Sequence, residues 1–217
     1  MIRAIARRWP RLRPLLPAAV LAAGWADCTR GEGPLVAFLG DSLTSGWRLR
    51  EEEAYPALVA RALAGRGRPI RVLNAGKSGD TVSQGLGRLP SVLRLRPAVL
   101  VVALGINDAL RGLPVEDAEA ALRRILDEAG AGGTRPVLVG FRAPRPQVEG
   151  SLRAYEAMYA RLAAERRLAF VPDLLAGVAG RSELLFADGL HPNAAGQQRL
   201  ALNVTRSLEL VLAELER

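Results

Sequence analysis

From residue 35 onward the chain alternates between two hydrophobic rhythms. Short continuous apolar runs alternate with longer stretches in which apolar positions recur every three to four residues. Leu35-Val36-Ala37-Phe38-Leu39, stopped by Gly40-Asp41, has no polar face to show to water. It therefore predicts a strand buried on both sides. Further strands are predicted at Ile70–Leu73, within Pro97–Leu104, at Pro136–Val139 and at Ala169–Pro172. Helical periodicity covers Ala54–Leu63, Val82–Leu95 with an interruption at Pro90, Pro114–Glu128, Leu152–Arg166 and Ala194–Leu215. The helix at 114–128 has the clearest polarity: a first-turn proline, then Glu116 and Asp117, with arginines later. Strand and helix in regular alternation imply an α/β fold, a five-stranded, mostly parallel sheet with helices on both faces. Functional sites in such sheets gather in the loops beyond the carboxyl ends of the strands.

The first thirty residues break this pattern. Arginines up to Arg13 precede a mostly apolar run, Leu15 to Ala26, that ends in the small-x-small triplet Gly24-Trp25-Ala26. The run is too short to span a bilayer as a helix and reads as an export signal, which places the protein in the periplasm or outside the cell. Pro10, Pro14 and Pro17 interrupt it, and the alternative is a basic disordered leader on a cytoplasmic protein. Arg7-Arg8 hints at twin-arginine export, but Trp9-Pro10-Arg11 fits that pattern poorly. Cys28 is a weak lipidation site, because Asp27 stands where a small residue belongs. Residues 31–217 remain as one domain of ordinary size.

Composition narrows the chemistry. Apolar residues make up 49% of the 217, which excludes intrinsic disorder. A single cysteine rules out an internal disulfide and a Cys-rich zinc site, and a single histidine, His191, rules out a multi-histidine metal centre. The net charge of +8 suggests an anionic partner until it is divided. Six arginines and one aspartate put +5 in the leader and leave +3 on residues 31–217. Later arginines sit beside acids, as in Arg123-Arg124-Ile125-Leu126-Asp127-Glu128, and aromatics are only 5%. Neither a basic stripe nor a base-stacking platform is present, so no nucleic-acid partner is expected.

The unusual residues collect in four loops: Gly40–Gly46, Asn74–Thr81, Gly105–Asp108 and Asp188–Asn193. Three follow consecutive strands and one precedes the last helix. Each has a bland explanation in turn or capping chemistry, but together they converge on one sheet edge. Ser42 lies at a strand-to-helix turn that exposes its hydroxyl. Serine needs an adjacent base, and His191 is the only side chain whose ordinary pKa lies near neutrality. Asp188, three residues earlier, is placed to hold the second imidazole nitrogen. The backbone N–H groups of Ser42 and Gly79 and the side-chain amide of Asn107 are candidate donors to a developing oxyanion. Asp41, Asp80 and Asp108 are expected to brace or cap, and Ser45 and Ser78 to take turn and hydrogen-bonding roles. Gly76-Lys77-Ser78 is a false P-loop, since Arg71 occupies the place of its first glycine. Asn203-Val204-Thr205 falls in a helix and is an accidental glycosylation match.

These blocks resemble the signatures of the GDSL, or SGNH, hydrolase superfamily, in order and from about residue 35 to the end. Gly-Asp-Ser-Leu-Thr-Ser-Gly, Ala54-Tyr-Pro-Ala-Leu58, Asn-Ala-Gly-Lys-Ser-Gly-Asp-Thr and Asn107-Asp-Ala-Leu-Arg-Gly112 are similar to its bacterial arylesterase, acyl-CoA thioesterase I and lysophospholipase branch. The resemblance implies a flavodoxin-like three-layer αβα sandwich. It also implies Ser42 as nucleophile, Asp188 and His191 completing the triad, Ser42, Gly79 and Asn107 in the oxyanion hole, and no metal or cofactor. The implied substrate is a small ester or a lipid, with transient contact to membrane lipids; the oligomeric state is left open, a monomer being favoured. A carbohydrate O-acetyl esterase of the same superfamily and a noncatalytic acyl- or lipid-binding protein are the alternatives. Ile106, where the branch often has glycine, and Lys77 beside the oxyanion loop are the departures. Specificity is expected to reside in the loop after Asn107 and around Phe141 to Gln147.

Overall fold

The computed structural model describes residues 33–142 and 149–216. The leader, including its export reading and Cys28, and most of the Phe141–Gln147 loop lie outside the described residues. Five strands form one sheet: β1 (Leu35–Gly40), β2 (Arg71–Gly76), β3 (Val99–Ala103), β4 (Arg135–Val139) and β5 (Ala169–Val171). Every pairing is parallel, and the order is β2-β1-β3-β4-β5. The helices are α1 (Ser42–Ser45), α2 (Tyr55–Ala64), α3 (Val82–Leu93), α4 (Ile106–Leu110), α5 (Val115–Ala131), α6 (Glu149–Arg166) and α7 (Ala194–Leu215). α2 packs with α7, and α5 packs with both α3 and α6, giving the two helical layers.

Central strands and edge strands differ as their composition requires. Residues 36–39 of β1 and 99–102 of β3 are completely buried. β2, at the edge, is half-buried over most of its length. The core closes around Phe38, Leu39, Leu100, Leu122, Ile125 and Leu138 and three buried tyrosines, Tyr55, Tyr155 and Tyr159. Phe141, expected in a specificity loop, is instead buried, packing against Tyr155 and Tyr159. Its ring completes an aromatic cluster that the apolar helix face of α6 demands.

Pro90 does not interrupt its helix. α3 runs through it, and Arg94 N–H still donates to the Pro90 carbonyl at 3.2 Å. A proline removes one helical hydrogen bond, and burial of Leu89 and Val92 on either side outweighs that loss. The short helices α1 and α4 have no counterpart in the sequence pattern, because four or five residues are too few to display a helical period.

The order 2-1-3-4-5 puts a switch point between β1 and β3. Chain crossovers leave β1 in opposite directions, so the loops after these strands diverge and open a crevice. Register makes the crevice level: Gly40 pairs with Gly76 on one side and with Ala103 on the other. Ser42 comes two residues past that line, Gly79 three and Asn107 four.

Candidate active site

Ser42 opens α1, one residue after a sharp stop to β1. Asp41 caps the turn, accepting from Leu43 N–H at 2.9 Å. The turn rests on β2 so closely that a Cβ on Gly76 would lie 2.3 Å from Ser45 N; only glycine permits that approach. Asn74 adds a second tie, donating from Nδ2 to the Thr44 carbonyl at 3.0 Å.

The last loop brings a histidine to the serine. Phe186 N–H donates to the His191 carbonyl at 2.8 Å, and Leu185 pairs antiparallel with Pro192, so residues 185–192 form a narrow hairpin. Asn193 then caps α7, accepting from Ala195 and Gly196 N–H at 3.0 and 3.1 Å. His191 Nε2 lies 3.0 Å from Ser42 Oγ, and its Nδ1 lies 2.8 Å from Asp188 Oδ2. The other Asp188 oxygen accepts from Leu190 and His191 N–H at 2.9 and 3.0 Å. Partial desolvation pushes the Asp188 carboxyl up. The N–H groups of His191 and Leu190, with the imidazole itself, outweigh that and hold it at about 2. An ionised Asp188 leaves Nδ1 as the protonated nitrogen and Nε2 as the acceptor facing the serine.

Across the crevice, Gly79 and Asn107 share one cleft of about 320 Å³ with Ser42, His191, Trp47 and Leu110. The N–H groups of Ser42 and Gly79 donate to nothing among the described residues. Asn107 Nδ2 donates one hydrogen to the Asp80 carbonyl at 3.0 Å, which orients the amide and leaves its second hydrogen free. Four of the five sequence-expected site residues, Ser42, Gly79, Asn107 and His191, therefore line one cleft, and the fifth, Asp188, stands behind His191 on its Nδ1 side. The apolar part of its wall comes from Leu43, Trp47, Ile106, Leu110 and Leu190.

The flanking acids take the bracing roles expected of them. Asp108 accepts from Val82 N–H at the start of α3, at 3.0 Å, and burial raises its pKa. Asp80, almost wholly buried, pairs with Arg88 at 2.7 Å. Ser45 and Ser78 bond one another at 3.3 Å. Asn203 bonds the carbonyls of Leu174 and Ala176 from within α7. Among the described residues no group of His, Cys, Asp and Glu is arranged to hold a metal ion.

Four residues that shape the site escape a sequence reading. Arg88 reaches from α3 to Asp80 and to the carbonyls of Ala75 and Gly40, joining the ends of β2 and β1 to the oxyanion loop. Arg111 donates to the Gly79 carbonyl at 2.7 Å. Gln197, 1% exposed, accepts from Tyr55 N–H and donates to the Leu43 carbonyl, so α7 is tied to the residue beside the serine. Trp47 stacks on His191. Only Gln197 carries a sequence signal, being a polar residue in the apolar stripe of α7.

Comparison with known proteins gives the family of the chain. Residues 38–199 match the GDSL-like Lipase/Acylhydrolase family. Esterase TesA of Pseudomonas aeruginosa is 37% identical over 175 residues, which cover 80% of this chain and 87% of that protein. Thioesterase 1/protease 1/lysophospholipase L1 of Escherichia coli K12 is 35% identical over 172 residues, 79% and 81% of the respective chains. A crystal structure of TesA superimposes with a TM-score of 0.79 at 36% identity, covering 82% of this chain and 99% of that one. The chain belongs to the GDSL-like lipase/acylhydrolase family and is an enzyme of the SGNH esterase type.

Proposed function

We propose that the protein hydrolyses carboxylic esters or thioesters of aryl or fatty-acyl type, acyl-CoA and lysophospholipid among them, through a Ser42–His191–Asp188 triad and an acyl-enzyme. The observation that carries this reading is the unbroken hydrogen-bonded line from Ser42 Oγ through both imidazole nitrogens to an ionised Asp188. His191 Nε2 takes the hydroxyl proton as Oγ attacks the acyl carbon. The imidazolium is stabilised by Asp188, and the tetrahedral oxyanion by the N–H groups of Ser42 and Gly79 and the free Asn107 hydrogen. Collapse expels the alcohol or thiol, which receives the proton from His191. Water, deprotonated by the same imidazole, then attacks the acyl-Ser42 ester and regenerates the hydroxyl.

A cleft whose open wall is largely aliphatic, with Leu43, Ile106, Leu110 and Leu190, and whose one indole is stacked on His191, favours an acyl or aryl group over a sugar. The names of the relatives, esterase and thioesterase/lysophospholipase, point the same way. Steady-state hydrolysis of nitrophenyl esters and acyl-CoA of graded chain length, together with fluorophosphonate labelling, tests the reading. Wild-type protein is expected to turn over and to be labelled at Ser42. Ser42→Ala and His191→Ala are expected to fall to background. Wild-type-level turnover by either variant would overturn the assignment. An unlabelled, inactive wild type would favour the noncatalytic acyl-binding alternative.

A further inference from the structure

Two hydrogen bonds do not hold an imidazole still. The bonds from Nδ1 and Nε2 lie roughly along one line in the ring plane, so the ring can rock about that line while keeping both. A flat partner against the ring face removes this freedom, and His191 has one. The indole of Trp47 stacks on it with centroids 4.2 Å apart and planes 25° apart.

The chain is built to deliver that indole. Gly46 ends α1 in the left-handed region, with φ 71° and ψ 57°, and a Cβ there would lie 2.7 Å from the Ala54 Cβ. The tight reversal lets Trp47 N–H donate to the carbonyl of Ser42 itself, at 3.2 Å. Arg48 follows at φ 61°, a conformation that disfavours a residue with a side chain. Its guanidinium carbon lies 4.2 Å from the Trp47 ring centroid, a cation–π contact that offsets the strain. Phe186 meets the indole edge-on at 5.9 Å, and Phe186 N–H bonds the His191 carbonyl. The indole is thus braced both by the loop of the serine and by the loop of the histidine.

We propose that Trp47 is a positioning residue that fixes the plane of the His191 imidazole between Ser42 and Asp188. Its electron-rich face also attracts the imidazolium formed when the serine proton is taken up. This inference rests on the triad assigned above. The competing role for Trp47 is a passive wall of the cleft, which would alter substrate binding alone.

The test compares Trp47→Leu and Trp47→Phe in the full chain on nitrophenyl acetate and octanoate. Trp47→Leu is expected to lower kcat about tenfold on both esters, as imperfect alignment of reacting groups does, with KM within about twofold. Trp47→Phe keeps a flat aromatic face and is expected to recover most of that loss. A second readout needs no change at Trp47. The other tryptophans are Trp9 and Trp25, so replacing both with Phe leaves Trp47 as the sole indole. An imidazolium in contact with an excited indole quenches it by accepting an electron. Emission is therefore expected to fall on acidification, in a transition that His191→Gln abolishes. The proposal is overturned by an unchanged kcat with a raised KM in Trp47→Leu, or by an emission pH response that is the same with and without His191→Gln, since Asp41 beside the same turn titrates in both. An inactive wild type or an active Ser42→Ala would instead overturn the triad, and the emission experiment separates the two because it requires no turnover.

Discussion

Asp41 stands next to the proposed nucleophile yet is only 1% exposed, and it takes no part in the hydrogen-bonded line to Asp188. Burial is the largest influence on its carboxyl and drives the pKa up. The Leu43 N–H opposes this, the neighbouring Asp108 and Asp80 carboxyls reinforce it, and the result is about 7 against an ordinary 3.8. Between those values the folded protein keeps a proton that the unfolded chain has released. Stability from this group is therefore fully present below about pH 4, declines as pH rises toward 7, and is lost above it. The whole span corresponds to roughly 4 kcal/mol, of which somewhat more than half falls between pH 5 and pH 8. Asp41→Asn keeps an oxygen for the Leu43 cap and cannot ionise. Urea unfolding of both proteins at pH 5 and pH 8 isolates this one group, because every other titration is shared. The wild type is expected to lose about 2 to 3 kcal/mol more than the variant over that interval. Equal losses in the two proteins would refute the argument that a buried carboxyl sits unpaired under the serine turn.

Three further outcomes follow from the site. Asp188→Asn presents the wrong imidazole tautomer and is expected to lower kcat about 10⁴-fold with circular dichroism unchanged; a loss below tenfold would contradict the assigned orientation of His191. Asn107→Ala removes one oxyanion donor, so kcat is expected to fall about 100- to 1000-fold while KM holds, in steady-state kinetics. Arg88→Met leaves the buried Asp80 carboxyl without its cation and takes one donor from each of the Ala75 and Gly40 carbonyls, the second of which keeps the Lys77 N–H. That change is expected to cost about 2 kcal/mol, or roughly 6 °C in Tm by thermal unfolding, and a shift under 1 °C would show the clamp to be idle.

Much of this protein can be read one residue at a time. A strand buried on both faces needs an unbroken apolar run, and β1 and β3 have one. A lone histidine three residues after an aspartate has few uses other than the one assigned, and Ser42, Gly79 and Asn107 announce themselves by their loops. These readings rest on chemistry local to the chain. The short helices α1 and α4 fall below the length at which a period exists, and Pro90 was overruled by the burial of its neighbours in α3. Trp47, Arg88 and Arg111 carry no local mark of their roles, because what they touch lies far away in sequence or on another element: His191, the ends of β1 and β2, and the Gly79 carbonyl. Sequence alone determined which groups could do the chemistry and in what order the elements come. Only the tertiary structure decided that Gly40, Gly76 and Ala103 stand level, that Gln197 ties α7 to the serine turn, and that an indole lies flat on the imidazole. Register and stacking are relations between segments distant along the chain, and packing, not propensity, sets them.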